Sequence, residues 1–67
     1  MKIAIYSTGC PKCTILKKKL MQNDINFEEI NDIDIMLNKG ITQAPMLEID
    51  GNIMDFKNAV EWINNKN

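Results

Sequence analysis

The chain of 67 residues has no histidine, only two cysteines, two prolines and three glycines, and no long apolar run. Each shortage excludes something. Without histidine there is no imidazole to act as a base, and a metal site would lack its commonest nitrogen ligand. No segment approaches the ~20 apolar residues needed to cross a bilayer, and the opening Met1-Lys2-Ile3-Ala4-Ile5-Tyr6 lacks the successive charged, apolar and cleavage regions of a secretion signal. A soluble, cytoplasmic protein without a membrane partner is therefore expected. Nine acidic and eight basic residues give a formal charge of −1, and they are interspersed, so no surface for nucleic acid is announced. Such a length allows a single domain over residues 1–67 with a small core, to which nearly every large apolar residue should contribute.

What the chain does have is Cys10-Pro11-Lys12-Cys13, which holds both of its cysteines. A bridge across two intervening residues closes a very short loop and removes little entropy from the unfolded chain, so stapling explains the pair poorly. In a reducing cytoplasm a transient disulfide is the better expectation than a persistent one. The pair also lies between an apolar, strand-like run and a helical pattern, a position that points to a thioredoxin-like redox site.

Residues Lys2 to Tyr6 read as a nearly continuous apolar strand, suited to the middle of a sheet. Ser7-Thr8-Gly9 breaks it. From Pro11 to about Asn23, Cys13, Leu16 and Leu20 recur at helical spacing, with Pro11 placed for the first turn and Lys17, Lys18 and Lys19 forming a solvated face. Ile25-Asn26-Phe27-Glu28-Glu29-Ile30 suggests a second strand. A short helix should follow, capped by Asn31 or Asp32, carrying Ile33, Met36 and Leu37 on one side and closed by Gly40. Asp50-Gly51 between Met46-Leu47-Glu48-Ile49 and Asn52-Ile53-Met54 predicts a tight hairpin. The last helix places Phe56, Ala59, Val60 and Ile63 on one stripe behind an Asp55 cap. The order is β-α-β-α-β-β-α.

Thiol–disulfide exchange needs an exposed thiolate and a second sulfur near enough to displace whatever the first acquires. With a helix starting at Cys10, that sulfur lies against the free N–H groups of the first turn, and Cys13 sits one turn later on the same face. The helix dipole and Lys12 should both favour a Cys10 thiolate, making Cys10 the nucleophile and Cys13 a partly buried resolving thiol. No base is required when the helix terminus already stabilises the thiolate. An alternative of another class is an iron–sulfur or zinc-binding module, in which the pair supplies two of four ligands and the rest come from a second subunit, glutathione or carboxylates. Further along, Pro45 in Gln43-Ala44-Pro45 can only begin the third strand or occupy an edge.

Over essentially its whole length the chain resembles the glutaredoxin and NrdH-type redoxin branch of the thioredoxin superfamily, on Ile5-Tyr6-Ser7, Cys10-Pro11-Lys12-Cys13, Gln43-Ala44-Pro45, Asp50-Gly51 and the last helix. The resemblance implies an α/β, thioredoxin-like fold with a four-stranded mixed sheet and three helices. It also implies a cis Pro45 beside the nucleophile and an Ala44 backbone free to pair with an extended substrate. The implied substrate-contacting set is Tyr6, Pro11, Lys12, Ala44 and Pro45, although Tyr6 also reads as an ordinary strand-end aromatic. No resident cofactor or metal is implied, and the protein is expected to be a monomer. Its reductant would be glutathione, as in glutaredoxins, or thioredoxin reductase with NADPH, as in NrdH-type redoxins, which supply ribonucleotide reductase. Met54-Asp55 stands where glutathione-binding members usually carry Gly-Gly, and Gly40-Ile41-Thr42-Gln43-Ala44-Pro45 resembles the redoxin pattern more closely. The redoxin Ser-Gly-Phe survives here only as Phe56. Trp62 is expected at the core margin, and Met36, Met46 and Met54 as fillers of a small core.

Overall fold

A computed structural model describes residues 2–65. Strand β1 (Ile3–Tyr6) is followed by helix α1 (Pro11–Gln22), strand β2 (Glu28–Ile30), helix α2 (Ile33–Asn38), the strands β3 (Met46–Ile49) and β4 (Asn52–Met54), and helix α3 (Phe56–Asn64). The sheet order is β2-β1-β3-β4, with β1 parallel to β2 and antiparallel to β3, and β3 antiparallel to β4. This is the four-stranded mixed sheet with three helices that a small thioredoxin-like α/β fold requires.

The apolar character of β1 has a direct cause in that order. It lies between two strands and is buried along its whole length. Side chains alternate across the sheet, so Ile3 and Ile5 join Leu47 and Ile49 against Leu16 and Leu20 of α1 and Ala59 and Ile63 of α3. Tyr6 points the other way, into a smaller cluster with Met36 and Ile41. The Cys13, Leu16 and Leu20 stripe of α1 is fully buried. Trp62 and Phe56 pack against the edge of the larger cluster, as does Val60.

Both connections after the first two helices use the same closing device. After α1, the N–H of Asp24 reaches the carbonyl of Met21 and that of Ile25 reaches Leu20, with Asp24 at φ 56°. After α2, Gly40 N–H bonds Leu37 and Ile41 N–H bonds Met36, with Gly40 at φ 76°. These are Schellman closures, each with an apolar residue returning onto the helix. The first accounts for a correction: β2 begins at Glu28 rather than Ile25, because the Ile25 backbone is committed to ending α1 and its side chain to the core. The hairpin after β3 forms as its sequence implies, with Asp50 at φ 50° and Gly51 at φ 90° between paired Ile49 and Asn52.

Helix α2 departs from expectation more consequentially. Asp32 caps it, but of its three expected inward residues only Met36 is buried, while Ile33 is 55% and Leu37 59% exposed. A helix of six residues presents less than two turns to the sheet, and one side chain with Ile41 behind it fills the space beside Tyr6. Leu37→Ala should therefore change unfolding free energy by no more than about 0.5 kcal/mol, whereas Leu20→Ala should cost about 2–5 kcal/mol, both read from chemical denaturation midpoints.

Candidate active site

Helix α1 begins on sulfur. Cys10 is its N-cap, in extended backbone conformation, and its Sγ accepts the N–H of Cys13 at 3.3 Å, the bond that a serine or aspartate side chain ordinarily makes. Pro11 occupies the first turn, where its missing N–H costs nothing, and the first intrahelical bond runs from Thr14 N–H to the Cys10 carbonyl at 3.2 Å. Cys10 is half-buried, and Cys13, one turn on, is fully buried. Both are free thiols.

The surroundings hold the Cys10 thiol below the usual thiol range. The largest cause is a hydrogen bond from the Cys13 side chain; desolvation, next in size, opposes it, and the backbone N–H groups of Cys13 and Lys12 and then the Thr8 hydroxyl add to the lowering. Lys12 thus reaches the sulfur through its main chain. Its ammonium lies instead over the Phe56 ring, 5.7 Å from the centroid, so the direct charge effect expected of that side chain is replaced by a cation–π contact with α3.

Opposite Cys10 stands the Ala44–Pro45 peptide, which is cis. The Cys10 sulfur is 4.0 Å from the Ala44 carbonyl oxygen. Gln43 and Ala44 line two grooves. One groove, of about 250 Å³, carries Lys12, Asp55, Phe56 and Lys57, and the other, of about 330 Å³, runs toward α2. The structure therefore brings Cys10, Cys13, Pro11, Lys12, Ala44 and Pro45 together. Tyr6 lies elsewhere: it is 1% exposed, its hydroxyl donates to Glu48, and Lys39 Nζ sits 3.5 Å from the same carboxylate. Burial, then Glu48, pushes the Tyr6 phenol up. Its position is that of a strand-end aromatic on the α2 side of the sheet.

Residues that the sequence did not single out hold the loop before Cys10. Ser7 is fully buried, its N–H bonds the Ile30 carbonyl at 3.0 Å, and its hydroxyl donates to Glu29 at 2.9 Å. Lys17 of α1 meets the same Glu29 oxygen at 2.9 Å. Lys17 and then Ser7 hold the Glu29 carboxyl below its ordinary value. A small polar residue directly after an apolar strand was the available signal. Among the described residues, no group of three or more cysteine, aspartate or glutamate side chains gathers in a metal-binding arrangement, and no helix is long and apolar enough to cross a membrane.

The chain is 41% identical over 59 residues to a thioredoxin of Methanothermobacter thermautotrophicus, an alignment covering 79% of this chain and 77% of that protein. No family model matches the chain, and no solved structure does.

Since the thiolate is favoured in the fold, alkylation of Cys10 by iodoacetamide should rise with pH through a midpoint below that of an ordinary thiol. Cys13→Ala should move that midpoint upward, and Thr8→Val by a smaller step. The linked stability has the same sign. It is fully present above the unfolded cysteine's pKa and is lost as pH falls through the depressed folded value. A wild-type midpoint at or above that of a free thiol would contradict the geometry described.

Proposed function

Because the chain belongs to the thioredoxin family, we propose that it is a thiol–disulfide oxidoreductase that reduces protein disulfides through Cys10 and Cys13, as an electron carrier of the NrdH-redoxin kind. The observation that carries this reading is the Cys10 sulfur seated on the first N–H groups of α1 with Cys13 buried one turn behind it.

The chemistry follows from those positions. The Cys10 thiolate attacks one sulfur of the target disulfide, forming a Cys10–S bond as the target S–S bond breaks. The departing target thiolate takes a proton from water. Cys13 then loses its proton and attacks Cys10 Sγ, releasing the second target thiol and leaving a Cys10–Cys13 disulfide. Two electrons have passed from the pair to the target; of the two protons the target gains, one comes from water and the other replaces the one Cys13 gives up. The buried Cys13 cannot be reached from outside, so it acts only after Cys10 has been captured. An external dithiol donor restores the pair.

For the donor we propose thioredoxin reductase with NADPH rather than glutathione. Asp55 supports this choice: its carboxylate accepts the Asn58 N–H at 2.8 Å and so caps α3 from within the chain. A glutathione carboxylate seeking that helix start would meet an occupied donor and a like charge. The targets are protein disulfides, with ribonucleotide reductase the one that the redoxin resemblance suggests.

Reduction of the oxidised protein by thioredoxin reductase with NADPH should outpace reduction by millimolar glutathione, followed by thiol titration; the reverse order would transfer the chain to the glutaredoxin reading. Cys10→Ser should abolish disulfide reduction. Cys13→Ser should accumulate a covalent adduct with the target, visible by mass spectrometry and cleared by dithiothreitol. Undiminished dithiol turnover of Cys13→Ser on protein disulfides would overturn the assigned roles.

A further inference from the structure

Strand β2 lies at one edge of the sheet, and two of its three residues are glutamates. Charge suits an edge, but Glu29 does not simply face water. It is the register partner of Ile5, so its side chain leaves the sheet on the face that α1 covers. There one carboxylate oxygen accepts two bonds at 2.9 Å, from the Ser7 hydroxyl and from the Lys17 ammonium. Ser7 directly follows β1, and Lys17 lies one turn past Cys13 in α1. The oxygen therefore joins the two ends of a segment that contains both cysteines.

Between Ser7 and Cys10 the chain has little to hold it. Thr8 and Gly9 are exposed, and at Gly9, with φ 82°, no atom beyond its chain neighbours lies within 4 Å of where a Cβ would stand. Ser7 itself is fixed twice to β2, by its hydroxyl to Glu29 and by its N–H to the Ile30 carbonyl at 3.0 Å. The direction in which the backbone leaves Ser7 thus decides where the hydroxyl of Thr8, a hydrogen-bond partner of the Cys10 sulfur, can stand.

We propose that Glu29 is a positioning residue for the nucleophile: by holding Ser7 and Lys17 on one oxygen, it keeps the Thr8 hydroxyl on the Cys10 sulfur. The role deepens the proposed thiol–disulfide exchange and rests on that reading for its use. A purely electrostatic influence would have the opposite sign, because a carboxylate disfavours a second negative charge nearby. Removing Glu29 would then favour the Cys10 thiolate, whereas removing a positioning contact disfavours it. Lys17 and the charged residues of the groove beyond Ala44, Lys12, Asp55 and Lys57, are the same in every variant compared below.

The test reads the thiolate fraction of Cys10, from ultraviolet absorbance and iodoacetamide alkylation, at a fixed pH below the wild-type midpoint. Glu29→Leu, which keeps bulk but offers no acceptor, should lower that fraction by about threefold, the scale of one hydrogen bond. Ser7→Ala should do the same with the carboxylate still in place. Glu29→Gln, whose amide oxygen still accepts from Ser7, should return the wild-type value. Glu29→Leu combined with Thr8→Val should shift the fraction no further than Thr8→Val alone, since both act through one hydroxyl. An unchanged or raised thiolate fraction in Glu29→Leu, or additive shifts in the double variant, would overturn the proposal. If chemical denaturation shows Glu29→Leu to be unfolded, Ser7→Ala decides alone, and an unchanged fraction there overturns the proposal. Reduction of a protein disulfide by the wild-type protein is run beside these measurements. Its absence would overturn the redox reading, whereas the thiolate comparison decides the positioning role either way.

Discussion

One hydrogen bond, from the Cys13 N–H to the Cys10 sulfur, ties the fold of this chain to its chemistry. A helix must satisfy its first N–H groups, and sulfur is an unusual acceptor for the purpose. Serine would cap α1 as well and would exchange nothing. The arrangement also limits the nucleophile. Donors that stabilise the thiolate lower its intrinsic reactivity along with its pKa, and the same donors lose a charged acceptor once the sulfur is bonded to a target. In the proposed reaction the mixed disulfide would thus form at the expense of the helix cap, a cost that favours prompt displacement and falls nearest to Cys13. Cys13 is buried in the Leu16 and Leu20 stripe, so in the proposed reaction the sulfur at the cap is the one a target meets first.

That bond needs a fixed loop on one side and a fixed helix on the other, and a short chain provides them unequally. The helix is held by apolar contact: α1 and α3 share one face of the sheet with nine buried residues in a single cluster. The loop is held by polar contact, Ser7 to Ile30 and Glu29, and Glu29 to Lys17. The Glu29–Lys17 pair is partly exposed, so its own contribution is modest. Its value lies in joining the end of β1, strand β2 and helix α1 at the point where the chain turns into Cys10.

Much of this was legible in the sequence because one residue type served one purpose in each element. The continuous apolar run of β1 announced a strand enclosed on both sides, Asp50-Gly51 announced its hairpin, and Cys13, Leu16 and Leu20 announced the inner face of α1. Legibility failed where a residue served two purposes. Ile25 and Phe27 look like strand residues, but Ile25 ends a helix with its backbone while filling the core with its side chain. Lys12, next to the nucleophile, was read as a charge, yet its ammonium went to an aromatic ring 44 positions away in sequence. Ser7 entered only as the end of Ile5-Tyr6-Ser7 and Glu29 only as a strand residue, since a hydroxyl after a strand and a carboxylate within one become a pair only through the β1–β2 register.

Helix α2 is the clearest case of a pattern without a partner. Apolar residues at helical spacing normally predict a buried stripe, and the inference presumes that the sheet extends far enough to receive it. Here the receiving surface is already occupied by Tyr6, whose hydroxyl is engaged by Glu48, and by Ile41 returning from the Schellman closure. One residue of α2 completes that cluster, and the other two are left facing outward. Their exposure is therefore built into the packing rather than into a loose end of the chain, since the closure that buries Ile41 and Met36 also fixes the turn on which Ile33 and Leu37 project. An apolar surface fixed in this way, in one groove with Thr8 and Ala44, differs from scattered exposed side chains elsewhere on the helices.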